Sequence, residues 1–403
     1  MEKKFSKFAT IEGNEKYEQA IKREHELYTP LYGKNTMRTE FDRDYTRVLN
    51  SMGYRRMKHK TQVFFSPQND HVCTRIEHVN LVESISHTIS SYLGLNEDLT
   101  KAIATTHDIG HSPFGHQGEK VLDEISKRDF DESFWHERNG LNFVDNIELI
   151  EDYEGFKQNL NLTYAVRDGI ISHCGEVDEN SLFPRDEVID LEKDYLYTNQ
   201  YKPYTWEGCV VKVADKISYI GRDIEDALIM KILTHKDVEE FNKIINHIRI
   251  GNTNIMNYLV TDLCKNSSPE NGLMFSQEAF DTMNKIKKFN YEKIYLCEPM
   301  KPAIRFFKVC INEIYYILRS MYDGKNTINA IKETERYYPY LAGEFSNWLS
   351  HYSNCKERDI TKFKNKIVFD LNDVHSYERA IVYYISGMTD NYMEKVYKEI
   401  VSL

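Results

Sequence analysis

Imidazole and carboxylate side chains are concentrated in one short stretch of this 403-residue chain. Residues 107–119 read HDIGHSPFGHQGE, so three histidines and two acidic residues fall within thirteen positions. The pair His107–Asp108, together with His78 upstream and Asp215 downstream, supplies ligand types that suit Mg, Mn, Fe, Co or Zn. These ligand types therefore predict a centre for one divalent metal ion at these residues. A metal bound in this way commonly activates water.

Helical periodicity in the flanking segments predicts how these ligands are held. Over residues 75–93 the apolar side chains recur at three- and four-residue steps, which predicts a helix that carries His78. Gly94 then fits a helix C-terminus, and Asn96 fits the N-cap of a second helix that runs to the His107–Asp108 pair. Glycine and proline break the pattern directly afterwards, so the pair is expected at a helix end that opens into a loop.

A third predicted helix, from about Trp206 to Met230, carries Asp215. Tyr219 and Asp223 follow Asp215 at successive four-residue steps, so the three side chains are expected to share one face. This alignment predicts a ridge along which a metal-bound substrate would lie. An exposed polar face is the alternative interpretation of the same spacing.

The remainder of the chain also favours helices. Proline is scarce, with nine residues, and helical patterns are expected over residues 236–295 and 305–322. Residues 377–403 are expected to form a further helix that is broken near Gly387. The polar segment 178–202 is predicted to be an excursion between helices. These patterns predict an all-α fold.

The composition is that of a folded protein without secretory or membrane-spanning segments. Hydrophobic residues make up 41% of the chain, and no apolar run approaches the length of a membrane span. The N-terminus has no signal-peptide pattern. Seven scattered cysteines without a CxxC pair are typical of free thiols in a reducing compartment. We therefore predict a cytoplasmic protein with no membrane partner.

The charge distribution argues against a general nucleic-acid-binding surface. The net charge is −11, whereas proteins that coat nucleic acids present basic surfaces. One local group of basic side chains consists of Arg47, Arg55, Arg56, Lys58, His59 and Lys60. This group is expected either to form a solvated face or to bind phosphate, and its position just ahead of the predicted ligands favours phosphate.

Longer motifs extend the pattern beyond the ligands. They are RTEFDRDYTR at 38–47, YRRMKHKTQVF at 54–64, TRIEH at 74–78, FWHE at 134–137, GIISH at 169–173, ADKISY at 214–219 and YISGMTD at 384–390. With the 107–119 string, these motifs resemble the HD-domain deoxynucleoside triphosphate triphosphohydrolases, which include bacterial dGTP triphosphohydrolases. The resemblance implies an all-α fold with an HD-domain helical core and an additional, mostly helical C-terminal region. The implied segments are an N-terminal helical segment at 1–70 that contributes to the substrate site, the HD core at 71–235 and the C-terminal region at 236–403.

The resemblance implies metal-dependent hydrolysis of a dNTP, with dGTP expected, to a deoxynucleoside and inorganic triphosphate. The implied metal ligands are His78, His107, Asp108 and Asp215. By the same resemblance His136 is the acid for the departing 5′-oxygen, and Glu119 or Glu137 holds its imidazolium form. His111 and His116 would donate hydrogen bonds to the phosphates, although structural bonds to the loop backbone are the alternative for both.

The resemblance also assigns the substrate contacts. The implied substrate-binding residues are Gln62, Arg75, Lys216, Tyr219, Asp223 and Arg379. Arg75, Lys216 and Arg379 would meet the phosphates, and Gln62 and Asp223 would hold the sugar 3′-hydroxyl. Tyr219 would exclude a 2′-hydroxyl by packing against the sugar. His173 is expected to be a buried structural histidine.

Two other classes of function stay open at the level of sequence. One is a different HD enzyme, such as a nucleotidase or phosphodiesterase, and the other is a nucleotide-sensing protein with a structural HD site. The reaction product separates the enzymes, since a triphosphohydrolase releases triphosphate and a nucleotidase releases orthophosphate. The resemblance further implies a dNTP as substrate, an activating nucleotide or single-stranded DNA as effector, and assembly into a homo-tetramer or homo-hexamer.

Overall fold

The computed structural model describes residues 3–27, 37–65, 69–174, 180–245 and 248–402. Within these ranges the chain forms seventeen α-helices and one small antiparallel sheet. The sheet pairs β1 (Leu149–Glu151) with β2 (Lys157–Asn159). The all-α prediction is therefore confirmed. Among the described residues, no helix has the length and apolar character that crossing a membrane requires.

In chain order, the helices of the described residues form a first set of nine, which ends with α9, and a second set of the eight that follow. The first set is α1 (Tyr17–Ala20), α2 (Glu40–Asn50), α3 (Met52–Arg56), α4 (Arg75–Leu93), α5 (Glu97–Thr106), α6 (Gly115–Phe130), α7 (His136–Asn142), α8 (Tyr164–Ser172) and α9 (Trp206–Ile229). The second set is α10 (His235–Ile245), α11 (Asn252–Asn266), α12 (Gln277–Asn290), α13 (Lys301–Ser320), α14 (Thr327–Thr334), α15 (Pro339–Tyr352), α16 (Val374–Gly387) and α17 (Asp390–Val401).

The helices predicted around the ligands form where the sequence indicates. The Glu77 carboxylate accepts a hydrogen bond from the Thr74 amide at 2.8 Å, which satisfies one free donor at the start of α4. Gly94 ends α4 with φ of 90°, a left-handed conformation that glycine adopts without a Cβ penalty. The Asn96 side chain accepts from the Leu99 amide and caps α5.

Other predicted helices are confirmed with shifted ends. Helix α13 starts four residues earlier than the predicted Arg305, because Pro302 fits the first turn of a helix although it breaks an apolar pattern. The predicted C-terminal helix is two helices, and the break after Gly387 is confirmed. Residues 180–202, the described part of the predicted excursion, contain no α-helix.

Apolar packing places the candidate ligands between two clusters. The larger cluster joins side chains of α2, α4, α5, α8, α9, α11 and α12. The second cluster joins α6 with α13, α14, α15, α16 and α17. Helices α4 and α9 and the end of α5 carry the predicted ligands, and α6 carries His116 and Glu119. The site therefore lies where the two clusters meet.

Glycine is required where the loop after α5 passes α7. A Cβ atom on Gly110 would lie 2.1 Å from the Gly140 amide nitrogen and 2.3 Å from the His136 carbonyl oxygen. Both distances are far inside van der Waals contact, so a larger residue would push the loop and the helix apart. The Asn139 side chain also donates to the Gly110 carbonyl at 2.6 Å. This approach fixes the spacing between the loop and the first residue of α7.

Residues from two distant segments of the chain hold the same loop. The buried Lys60 ammonium donates to the carbonyl oxygens of His111 and Ser386. The Asp390 carboxylate accepts from the Phe114 amide at 2.9 Å and from the Thr61 amide at 2.8 Å. Residues 60–61 and the helix pair α16–α17 therefore support the loop together.

The basic group at residues 47–60 does not form one continuous surface. Lys60 is buried, Arg56 pairs with the Glu148 carboxylate, and the Arg47 guanidinium donates to a backbone carbonyl at 2.6 Å. Arg55, by contrast, is exposed, as are its basic neighbours Lys58 and His59. Neither a solvated face nor a phosphate-binding surface therefore describes the whole group, because half of its members make contacts within the fold.

Candidate active site

The four predicted metal ligands converge from α4, α9 and the turn that follows α5. The His78 Nε2 atom lies 3.0 Å from Asp215 Oδ1 and 3.6 Å from Asp108 Oδ2. The His107 Nε2 atom lies 3.5 Å from Asp108 Oδ1 and 3.8 Å from Asp215 Oδ1. All four side chains are buried. Two imidazole nitrogens and two carboxylates therefore face one small volume.

The outer nitrogens of both imidazoles are engaged in the way metal ligands require. The His107 Nδ1 atom lies 2.7 Å from the Ala104 carbonyl oxygen. The His78 Nδ1 atom lies 3.2 Å from the Ser218 hydroxyl, which itself donates to the Asp215 carbonyl. With Nδ1 as the donor, each Nε2 presents a lone pair to the centre. The buried Nε2 of His107 has no hydrogen-bond partner among the described residues, and this donor set fits a divalent metal.

The charges at the centre favour a cation. Burial raises the pKa of Asp215, but the hydrogen bond with His78 and the charges of His78 and His107 together outweigh burial and lower this pKa to about 2. Burial likewise opposes ionisation of Asp108, yet His111, His107 and Arg75 hold the pKa of that carboxyl well below its usual range. Both carboxylates are therefore ionised at neutral pH. A metal would replace the proton that His78 otherwise holds between them.

Arg75 and Gln62 border this centre. Arg75 is buried, its Nη1 donates to Asp108 Oδ2 at 2.6 Å, and its Nη2 donates to the Thr61 carbonyl at 3.1 Å. The side-chain oxygen of Gln62 is buried and has no hydrogen-bond partner within the described part of the chain. Gln62 thus offers an acceptor beside an arginine that already serves the centre.

A second group of side chains surrounds His136 at the start of α7. Its Nδ1 atom lies 3.0 Å from Glu119 Oε2 and 3.4 Å from Glu137 Oε2. Glu119 Oε2 also lies 3.3 Å from Nδ1 of His116, whose side chain is exposed. Burial lowers the pKa of His136, but Glu137 and Glu119 outweigh it and hold this pKa well above its ordinary value. His136 is therefore an imidazolium held by carboxylates.

His111 connects the two groups. Its Nε2 atom lies 3.1 Å from Asp108 Oδ1, and its ring stacks on the His136 ring with centroids 3.8 Å apart. Burial lowers the pKa of His111, and the nearby charges of Arg75 and His136 lower it further, to well below the ordinary value. A neutral imidazole thus lies between the carboxylate centre and the charged His136.

The predicted ridge on α9 meets a residue that the sequence did not indicate. Asp215 and Asp223 are buried, and Tyr219 is half-buried between them. The Tyr295 hydroxyl donates to Asp223 Oδ2. Burial is the main cause that raises the pKa of Asp223 to about 7. No local pattern links Tyr295 to α9, because 72 positions separate it from its partner.

The two other predicted phosphate contacts, Lys216 and Arg379, differ in their surroundings. Lys216 lines a small cavity with side chains of Leu182 and Phe275. Arg379 on α16 forms an ion pair with Glu132, with Nη2 and Oε1 2.8 Å apart. The structure therefore brings Arg75 and Gln62 to the metal centre but gives Arg379 a partner at the end of α6.

His173 is buried, as predicted, and its side chain also lies beside Asp108 and His107. Its Nδ1 lies 2.7 Å from the Ile170 carbonyl oxygen, and its Nε2 lies 3.8 Å from Asp108 Oδ1. Its ring is 4.9 Å from the His107 ring, centroid to centroid. The neighbouring Cys174, which the sequence did not single out, lies with its Sγ 3.2 Å from His136 Nε2.

Comparisons with known proteins show the family of this chain. A family model described as HD domain matches residues 75–220. A deoxyguanosinetriphosphate triphosphohydrolase-like protein of Caldanaerobacter subterraneus subsp. tengcongensis is 32% identical over 367 residues, which cover 91% of this chain and 86% of the relative. Proteins with the same description from Desulfatibacillum aliphaticivorans and Rickettsia felis are 37% and 28% identical. These matches cover 64% and 95% of this chain, and 67% and 96% of the respective relatives. The chain therefore belongs to the HD-domain family of deoxyguanosinetriphosphate triphosphohydrolase-like proteins.

Proposed function

We propose that this protein hydrolyses a dNTP, with dGTP as the first candidate, to a deoxynucleoside and inorganic triphosphate. The observation that carries the proposal is the contact between the carboxylate centre and the His136 group. His111 touches both, at 3.1 Å from Asp108 and in a ring stack with His136. A cation site directly beside a charged acid suits cleavage of a phosphate ester, and the names of the relatives favour a deoxynucleoside triphosphate.

One divalent metal ion is the proposed cofactor, held by the four convergent ligands His78, His107, Asp108 and Asp215. When bound, such an ion lowers the pKa of water and offsets negative charge on phosphate oxygens. Arg75 keeps Asp108 ionised through its 2.6 Å ion pair and adds positive charge at the same place. The protein thus supplies a buried, cation-rich position for the phosphorus that is attacked.

His136 is proposed as the general acid. Its Nδ1–H is held by Glu119 and Glu137, so Nε2 carries the proton that moves to the departing 5′-oxygen. The raised pKa keeps this proton in place at neutral pH until the bond to phosphorus breaks. His111 and His116 flank the acid, and we propose that they contact the phosphates.

The sugar is proposed to lie along the face of α9. Tyr219 follows Asp215 by one turn and would pack against C2′, which leaves no room for a 2′-hydroxyl. Gln62 and Asp223 would hold the 3′-hydroxyl. Arg75 and Lys216 complete the proposed substrate contacts. Arg379 is omitted, because its guanidinium is already paired with Glu132.

The test is product analysis for each of the four dNTPs with Mg²⁺ or Mn²⁺, alone and in pairs. Chromatography should detect a deoxynucleoside and inorganic triphosphate in equal amounts. Pairs of nucleotides reveal whether one of them activates hydrolysis of another. The Asp215→Asn variant, which loses a ligand but keeps its shape, is the control for contaminating phosphatases. Orthophosphate as the only phosphorus product would contradict the proposal and indicate a different HD phosphohydrolase.

A further inference from the structure

A second group of metal-ligand atoms lies next to the proposed acid. His136, His173 and Cys174 each offer one ligand atom, and these three atoms all lie within 4.8 Å of one another. The His136–Cys174 pair is already 3.2 Å apart. These residues come from the start of α7 and from the turn that follows α8. They are separate from the four ligands of the carboxylate centre, although His173 Nε2 lies 3.8 Å from Asp108.

The two imidazoles of this group are oriented as ligands. Glu119 holds Nδ1 of His136 at 3.0 Å, and the Ile170 carbonyl holds Nδ1 of His173 at 2.7 Å. Carboxylate and carbonyl partners of this kind fix the ring and leave the other nitrogen for a metal. His173 is only 1% exposed, yet its Nε2 has no hydrogen-bond partner among the residues that the structure describes. A buried nitrogen without a partner is costly unless something binds it.

We propose that His136, His173 and Cys174 form an inhibitory site for a thiophilic divalent cation, with Zn²⁺ as the expected ion. Zinc bonds of about 2.0–2.3 Å in a tetrahedron place ligand atoms about 3.5 Å apart. Because the ligand atoms lie within 4.8 Å of one another, the group would need to contract by no more than about 1.3 Å, and water would fill the fourth position. Thiolate ligands favour zinc, whereas Mg²⁺ and Mn²⁺ prefer oxygen, so the activating ions would not compete here.

Binding at this group exchanges two protons for a metal. The Cys174 S–H bond and the His136 Nε2–H bond break, both protons go to solvent, and the sulfur and the imidazole nitrogens form bonds to Zn²⁺ without any change of oxidation state. Lys212 steadies the backbone at this place by donating to the carbonyl oxygens of Ser172 and Cys174. The burial that raises the pKa of the Cys174 thiol to about 12 keeps it protonated until a metal arrives.

Inhibition would follow because zinc would bind to an atom that is proposed to act in catalysis. His136 Nε2 is the atom proposed to protonate the departing oxygen, so a metal bond there removes the acid. This step rests on the proposed function, whereas the metal site itself does not. Zinc would then stop turnover without displacing the ion at the carboxylate centre.

The site is tested first by binding, with Co²⁺ as a spectroscopic probe on the whole protein. A cobalt–thiolate bond gives a charge-transfer absorption that oxygen and nitrogen ligands do not give. This band should appear in the unmodified protein, vanish in Cys174→Ser and persist in Cys355→Ser. Cys355 is a partly buried thiol at the end of α15 and serves as the matched control. Circular dichroism checks that both variants fold, and absence of the band from the unmodified protein would refute the site.

The inhibitory role is tested by Zn²⁺ titration of turnover supported by Mg²⁺ or Mn²⁺. The zinc concentration for half inhibition should rise at least about tenfold in Cys174→Ser and stay unchanged in Cys355→Ser. Equal inhibition of both variants would mean that zinc acts at the carboxylate centre, and it would overturn the inhibitory role. If no dNTP is hydrolysed at all, the proposed function fails, while the cobalt band still decides whether the metal site exists.

Discussion

At the scale of single residues, Asp108 is the shared anion of the site. It lies within 4 Å of ring nitrogens of four histidines and of the Arg75 guanidinium. Its removal would therefore leave Arg75 buried without a charge partner, which destabilises a fold by about 3–5 kcal/mol. His107 does not neutralise a buried charge in this way. It is therefore the better residue for testing metal binding alone.

We expect His107→Ala to lose both the metal and turnover while the fold survives. The imidazole contributes one ligand and a hydrogen bond to the Ala104 carbonyl, so its loss affects the centre more than the core. Metal analysis of the purified protein tests the loss of the metal, an activity assay tests the loss of turnover, and circular dichroism tests whether the fold survives. Full metal occupancy in this variant would refute the ligand assignment.

His136→Ala should retain the metal and lose catalysis. A positioned acid typically contributes about 10²–10⁴-fold to the rate, and kcat should fall by that factor. The raised pKa of His136 means that the unmodified enzyme loses its acid only on the alkaline side of neutrality. That alkaline limb of the pH–rate profile should be absent from the variant. A decrease of less than about tenfold, with substrate bound normally, would exclude His136 as the acid.

At the scale of elements, the helices were predictable where their signals are local. The apolar steps, Gly94 and Asn96 define α4 and α5 within a few neighbouring residues. Partners from distant segments were not predictable. The Lys60–Ser386 contact joins positions 326 apart, and Tyr295 reaches Asp223 across 72 positions. Such contacts depend on how the helices pack, and no periodic pattern in one sequence encodes that.

The close approach of the α5 loop to α7 gives a prediction that concerns an element rather than a ligand. Gly110→Ala should reduce activity and stability together, because the new methyl group would overlap the backbone of α7. Thermal unfolding and kcat measure the two effects. Gly343→Ala on α15 is the control, since the nearest atom to its Cβ is 3.8 Å away. Alanine there should stabilise the helix by up to about 1 kcal/mol.

The face of α9 should select the sugar. We predict that dGTP is hydrolysed and GTP is not, because the Tyr219 ring would occupy the position of a 2′-hydroxyl. Tyr219→Ala should admit GTP while lowering the rate with dGTP. Steady-state kinetics with both nucleotides measure the ratio of kcat/KM. If the unmodified protein used GTP and dGTP equally, the orientation of the sugar along α9 would be wrong.

At the scale of the whole molecule, we predict a homo-tetramer or homo-hexamer, as the resemblance to the triphosphohydrolases implies. Closed symmetric assemblies are the rule for soluble homo-oligomers. Light scattering coupled to size exclusion would give a mass several times the 47.6 kDa of one chain. A stable monomer with full activity would contradict the prediction.

The support of the α5 loop by residues that are distant in the sequence has a consequence for inheritance. Asp390 and Ser386 lie within the last twenty residues of the sequence, yet they hold the backbone of Phe114 and, through Lys60, that of His111. A frameshift that spares every histidine of residues 107–119 but removes α17 would therefore take away Asp390 and should reduce activity. For the same reason the HD segment is a poor unit for recombination, because a graft of residues 75–220 would leave behind the supports that shape its loop.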